Sequence, residues 1–234
     1  MSALDLAILD ADTALAGAAR AHEDVGQPLA ELAAPGRLVE LCGEARSTAA
    51  VSILAHCQRA GETAAWIQPA PGDLYPPDLA DAGVDLEALV VVHVPRHSPR
   101  AGASNKNESS QRGPAGQCRA AELLLRSGAF GLVVLDFVHA EPQSSAWQGR
   151  LSGLARQHEA RLLILRGGDV DRPSLGPLIG LRVLSRLERA TGDDPPGFVP
   201  RTAGFWLTHE VLKNKSGGPL TPRRERIRGP WGLA

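Results

Sequence analysis

The run Phe130 to Phe137 (FGLVVLDF) constrains this chain more than any other stretch, because its one charge, Asp136, sits near its end. An apolar run this short and unbroken offers no face to water, so it predicts a strand covered on both sides. The same signal recurs. Leu162-Leu163-Ile164-Leu165 is a second buried strand, Leu89 to Val94 is a strand closed by Pro95, and Leu38 to Cys42 and Ala64 to Ile67 are shorter apolar runs. Helical patterns lie between them. Residues 48–60 stop at Gly61, residues 117–127 stop at Ser127-Gly128, and residues 146–158 precede the Leu162 strand. Short apolar strands alternating with helices predict an α/β fold with a mainly parallel central sheet flanked by helices. Segments 179–188 and 205–213 read as strands with no helix between them, which predicts an antiparallel edge.

Three regions lie outside this alternation. Residues 3–21 read as an amphipathic helix closed by Gly26-Gln27-Pro28, so 1–34 forms an N-terminal helical segment. It is acidic, with Asp5, Asp10, Asp12, Glu23 and Asp24 against Arg20. Residues 96–116 are Ser, Arg, Gly and Asn without a period and read as a mobile loop inside a core of 35–215. Residues 216–234 read as a basic flexible tail holding Arg223, Arg224, Arg226, Arg228 and Trp231.

Formal net charge is -1, so no strongly basic nucleic-acid surface is written into the totals. Lysine occurs only at Lys106, Lys213 and Lys215. Cys42, Cys57 and Cys118 are widely spaced, without a C-x-x-C pair, which predicts buried free thiols in a reducing cytoplasm. The acidic N-terminus is no signal peptide, and no apolar stretch is long enough to span a bilayer, so no membrane partner is expected. His93 and His97 are separated by Pro95 and share no helix face, which argues against a metal pair.

The order strand, glycine, short loop, helix at residues 38–60 is that of a phosphate-binding loop. Such a loop works through backbone N–H groups around the phosphates, a lysine reaching the outer phosphates and a Ser/Thr hydroxyl on magnesium. Here the stretch is Gly43-Glu44-Ala45-Arg46-Ser47-Thr48-Ala49-Ala50. Gly43 is in place. Thr48, Ala49 and Ala50 occupy the positions of the second glycine, the lysine and the hydroxyl. No lysine lies in the first hundred residues to replace the missing one.

The stretch GRLVELCGEARSTAAVSILAHCQRAGETAAWI resembles the phosphate-loop region of RecA recombinases. GVDLEALVVV, RSGAFGLVVLDFV and HEVLKNK resemble later RecA segments, and together these cover roughly residues 35–215. The resemblance implies a RecA-like P-loop core. It matches Asp136 to the aspartate that holds magnesium, although a strand-end aspartate capping a turn fits equally. It places the catalytic glutamate at Gln68-Pro69-Ala70-Pro71, without a carboxylate, and the phosphate-sensing glutamine near Gly167-Gly168. The nucleotide site is thus read as degenerate, with Gly43, Ser47, Thr48 and Asp136 as its remnants, no catalytic residues and no cofactor. Weak ATP binding by backbone groups stays open.

Among RecA relatives, the shortened chain with a degenerate loop looks like ImuA-type proteins. That likeness implies a non-catalytic role in damage-induced translesion synthesis and mutagenesis. The implied partners are an ImuB-like Y-family polymerase homologue, RecA and, indirectly, an error-prone C-family DNA polymerase. The alternative is a DNA-binding RecA paralogue with weak ATP binding that modulates recombination or the SOS response. Lys213 and Lys215 match lysines that in RecA reach the neighbour's ATP. They read either as a solvated strand end or as a contact to a RecA protomer. The arginines at 223, 224, 226 and 228 read as a contact to a partner or DNA, or as a solvated tail. The N-terminal segment leaves homo-oligomerisation open.

Overall fold

The computed structural model describes residues 29–96, 112–137, 141–142, 144–168, 170–189, 204–217 and 222–228. The N-terminal helix expected at 3–21 and most of the loop expected at 96–116 lie outside the described residues, as does His97. Eight strands form one sheet: β1 (Leu38–Cys42), β2 (Ala64–Ala70), β3 (Leu89–Pro95), β4 (Leu132–Phe137), β5 (Arg161–Arg166), β6 (Ile179–Arg189), β7 (Gly204–Asn214) and β8 (Arg223–Arg228). Their spatial order is β3-β2-β4-β5-β1-β6-β7-β8. The pairings from β3 across to β6 are all parallel, and β7 and β8 add antiparallel.

The period-two alternation of strand side chains sends the residues of the central strands to two opposite cores. Val39 and Leu41 join Trp66, Val134 and Leu163 on one face, under α2 (Arg46–Arg59). The short helices α1 (Leu29–Leu32) and α3 (Pro76–Asp81) complete that layer through Leu29 and Leu79. Leu38 joins Ile67, Val133, Leu135 and Phe137 on the other face, under α4 (Gly113–Ser127) and α5 (Ala146–Gln157). Phe137 and Trp147 meet edge to face at 5.6 Å between ring centroids. Full burial of each large aliphatic side chain here contributes about 2 kcal/mol, so the central strands carry the fold.

Helix limits follow local chemistry. α4 starts at Gly113 rather than 117, because Pro114 suits a first helical turn that lacks N–H acceptors. It ends at Gly128, whose φ of +69° is the left-handed stop predicted for that position. Among the described residues no helix is long and apolar enough to cross a membrane. Cys42, Cys57 and Cys118 are buried and form no disulfide among the described residues. Burial pushes the Cys57 thiol to about 11 and the Cys118 thiol to about 12, which leaves both as unreactive thiols.

One expectation needs correcting. Residues 223–228, assigned to a flexible tail, form β8 and pair with β7 over Gly204↔Arg228 to His209↔Arg223. Their alternation turns Glu225 and Ile227 inward, both half-buried, while Arg224 and Arg226 stay exposed. The core therefore extends past residue 215.

Candidate functional site: a closed phosphate loop and a charged strap

The C-terminal end of β1 is where a parallel α/β sheet offers a ligand crevice. Gly43 turns the chain there with φ +88°. A Cβ at this position would sit 2.9 Å from Leu184 Cδ1 and closer still to the Ser185 carbonyl, so the glycine is required for packing against β6. Helix α2 already begins at Arg46, ahead of the position that Thr48 would hold as the second loop glycine. Ser47 and Thr48 are therefore helical residues, Ser47 exposed and Thr48 half-buried. Ala49 and Ala50 are fully buried in the core, at the positions where the lysine and hydroxyl would act.

Two of the loop's amide donors are already used. Gly43 N–H donates to the Gly168 carbonyl at 3.1 Å, and Ala45 N–H donates to the Ser185 carbonyl at 3.1 Å. Arg46 Nη1 donates to the Gly43 carbonyl at 2.8 Å. That places a cation in the first turn of α2, where the helix dipole favours an anion. Glu44 accepts from Leu187 N–H at 3.4 Å. A triphosphate cradle needs free loop amides, a lysine and a hydroxyl, and these residues do not fit one.

Asp136 lies buried at the C-terminal end of β4, at the same end of the parallel strands as the loop after β1 and separated from β1 by β5. Its carbonyl accepts from Gln117 Nε2 at 2.6 Å. Gln68, at the general-base position, is buried and accepts from Asp73 N–H at 3.1 Å and Leu74 N–H at 3.4 Å, so it shapes a turn. Gly168, at the sensor position, has φ +109° and closes the loop through its carbonyl. The four remnants thus divide. Gly43, Ser47 and Thr48 stay together, and Asp136 stands across β5 from them.

Next to this loop lies a charged cluster that sequence reasoning missed. Glu40, on β1, is fully buried. It meets Arg166 Nη1 at 3.2 Å and Arg182 Nε at 3.1 Å. It also accepts from Ser174 Oγ at 3.0 Å and Leu175 N–H at 3.0 Å. Arg166 makes a bidentate pair with Glu141, Nε to Oε1 at 2.5 Å and Nη2 to Oε2 at 3.0 Å. Burial alone would lower the Arg166 pKa, but Glu141 and Glu40 outweigh it and raise it. The carbonyls of the β5–β6 connection take the remaining donors: Arg166 reaches that of Pro173, and Arg182 reaches that of Arg172 at 2.5 Å. Lys213 Nζ donates to the Gly176 carbonyl at 3.1 Å and Lys215 Nζ to that of Pro177. Burial first, then Lys215, lowers the Lys213 pKa. Residues 170–178 are therefore strapped onto the sheet by cations from β5, β6, β7 and the turn after it. A lone carboxylate inside the apolar run Leu38–Cys42 was the only available signal, since such a charge needs a partner.

A second constellation was also invisible to local spacing. Ser185 Oγ and His209 Nδ1 lie 2.9 Å apart, His209 Nε2 and Glu225 Oε1 lie 3.4 Å apart, and Ser52 Oγ donates to Glu225 Oε1 at 3.2 Å. Burial pushes the Glu225 carboxyl up, but His209 and Ser52 outweigh it and hold it below the ordinary glutamate value. Serine, histidine and glutamate in a row suggest a nucleophile relay. Ser185 is fully buried, however, and its carbonyl is occupied by the loop, so no substrate reaches it. The row ties β6, β7, β8 and α2 together.

The predicted contact arginines all fall on β8. Arg223 is half-buried, Arg224 lies 4.3 Å over the Trp206 ring and 3.4 Å from Glu188, and Arg226 is exposed. The backbone of Arg228 pairs with Gly204.

Strand order, parallel core, antiparallel edge and the strand–glycine–helix turn after β1 together define a RecA-like α/β core. The RadB recombinase crystal structure superposes with a TM-score of 0.52 at 15% identity, covering 86% of this chain and 93% of that one. In sequence, 131 residues are 30% identical to protein RecA of Acinetobacter baylyi. The match takes in 55% of this chain and 32% of RecA, so the chain spans about a third of the length of that curated relative. No protein-family model matches the chain.

Proposed function

We propose that this chain is a non-hydrolysing, RecA-like accessory factor in DNA damage-induced translesion synthesis, working through contacts with RecA and an ImuB-like polymerase homologue. One observation supports the absence of ATP turnover above the rest. The loop amides of Gly43 and Ala45 are committed to the chain's own carbonyls, with Ala49 and Ala50 packed where chemistry would be. Losing lysine, hydroxyl, base and sensor removes several groups that each contribute on the order of 10²-fold or more to rate. The test is co-sedimentation of the purified chain with RecA filaments and pull-down with a purified ImuB-like protein. Retention by both supports the reading, and retention by neither ends it.

A second reading is a DNA-binding RecA paralogue that modulates recombination. Both similar proteins reported above are recombinases or RecA itself, which favours a setting in recombination over the narrower mutagenesis role. The arginine strand β8, with Arg224 stacked on Trp206, is the surface that supports it. Salt-sensitive binding of single-stranded DNA, lost when the β8 arginines are neutralised, would select this reading. No gel shift at low salt would remove it.

A further inference from the structure

The strand β8 is the last of the sheet, and among the described residues no strand pairs with its outer edge. An unpaired edge carries a row of backbone donors and acceptors that templates another strand. Its register is fixed from inside. Glu225 is held by Ser52 and His209, so Arg224 and Arg226 must face outward. The one acidic side chain of the strand is thereby withdrawn, and the edge is cationic. A second copy of this chain is the wrong occupant, because pairing β8 with β8 sets arginines against arginines.

We propose that β8 is a preformed docking edge for an extended acidic segment of a partner protein, which adds to the sheet as a further strand. Main-chain hydrogen bonds supply the attachment, and carboxylates facing Arg224 and Arg226 supply the selection. This rests on the reading that the chain works by protein contact, and it names the surface and the partner's chemistry.

The experiment titrates the full chain into a fluorescein-labelled peptide of alternating glutamate and valine, followed by anisotropy. Three further probes run in parallel: the lysine–valine peptide, the acidic peptide N-methylated on alternate backbone nitrogens, and a single-stranded oligothymidylate. Saturable binding of the acidic peptide alone is expected. It should weaken about tenfold or more in the Arg224→Glu, Arg226→Glu double variant, whose fold is checked by circular dichroism. The single variant Arg226→Ala, at an exposed position, should weaken it less. Hydrogen exchange should slow at β8 when the peptide binds. Equal binding of the N-methylated peptide would overturn strand addition, since charge alone would then suffice. Absence of acidic-peptide binding, indifference to the double variant, or binding of the oligonucleotide in its place would each overturn the proposal. Such a result leaves the non-hydrolysing reading standing or falling on the nucleotide and RecA measurements alone.

Discussion

The loop after β1 and the edge formed by β7 and β8 flank the same strand, β6, and they treat polar chemistry in opposite ways. At the loop, positions that would hold a lysine and a hydroxyl carry Ala49 and Ala50, both sealed in the core. At the edge, Ser185, His209, Glu225 and Ser52 form a hydrogen-bonded row where an ordinary sheet would be apolar. The two regions even share a residue, because the Ser185 carbonyl accepts the loop's Ala45 N–H while its hydroxyl faces His209. The contrast teaches that at the loop the strand, the glycine and the start of the helix are closely packed against β6 and the core. The serine–histidine–glutamate row lies on the opposite side of β6 from the loop.

The sharpest attempt to break this contrast is to rebuild the loop. Thr48→Gly with Ala49→Lys and Ala50→Thr should not restore nucleotide binding. It buries a lysine at a fully enclosed site, so a loss of about 4 kcal/mol or more in urea unfolding is expected. Tight magnesium-dependent ATP binding by that triple variant would erase the distinction between the regions. Next in size is Glu40→Ala, which takes a buried carboxylate partner from both Arg166 and Arg182 and should cost about 3 kcal/mol, read from the same unfolding curves. Chymotrypsin cleavage after Leu175 should also rise, since the strap loses its central acceptor. Gly43→Ala introduces a methyl against Leu184 and Ser185 at φ +88°, and a loss of about 2 kcal/mol is expected from strain and contact together.

The smallest effect belongs to the edge. Glu225 is held below its ordinary value by His209 and Ser52, so its folded pKa is lower than its unfolded one. Its contribution is present above the unfolded carboxylate pKa and is lost as pH falls through the folded one. Thermal melts taken from neutral pH downward should therefore show a shallower acid decline in Glu225→Gln than in the parent chain. Parallel declines would show that the Glu225 contacts to His209 and Ser52 add nothing to acid stability.

Much of the fold was legible because its central strands are continuous apolar runs. β4 and β5 announced themselves through FGLVVLDF and LLIL, and β6 and β7 emerged within a residue or two of their predicted limits. The helix α3 was hidden in a Pro-rich stretch, where Pro76 starts a helix that the same residue normally ends. β8 was hidden by its charge: RRERIR reads as a solvated tail until β7 supplies a partner for its backbone. Of the site, Gly43 and the missing lysine could be read directly, since both are local. The strap could not, because Glu40 meets Arg166 and Arg182 only after distant strands become neighbours. The same reason concealed the row through Ser185, His209 and Glu225.

We propose that the loop after β1 does not bind nucleotide. Isothermal titration of the full chain with ATP and magnesium tests it directly. The account predicts no saturable heat up to about millimolar nucleotide, a limit corresponding to roughly 4 kcal/mol of binding free energy. Micromolar binding that requires magnesium and disappears in Asp136→Ala would contradict it.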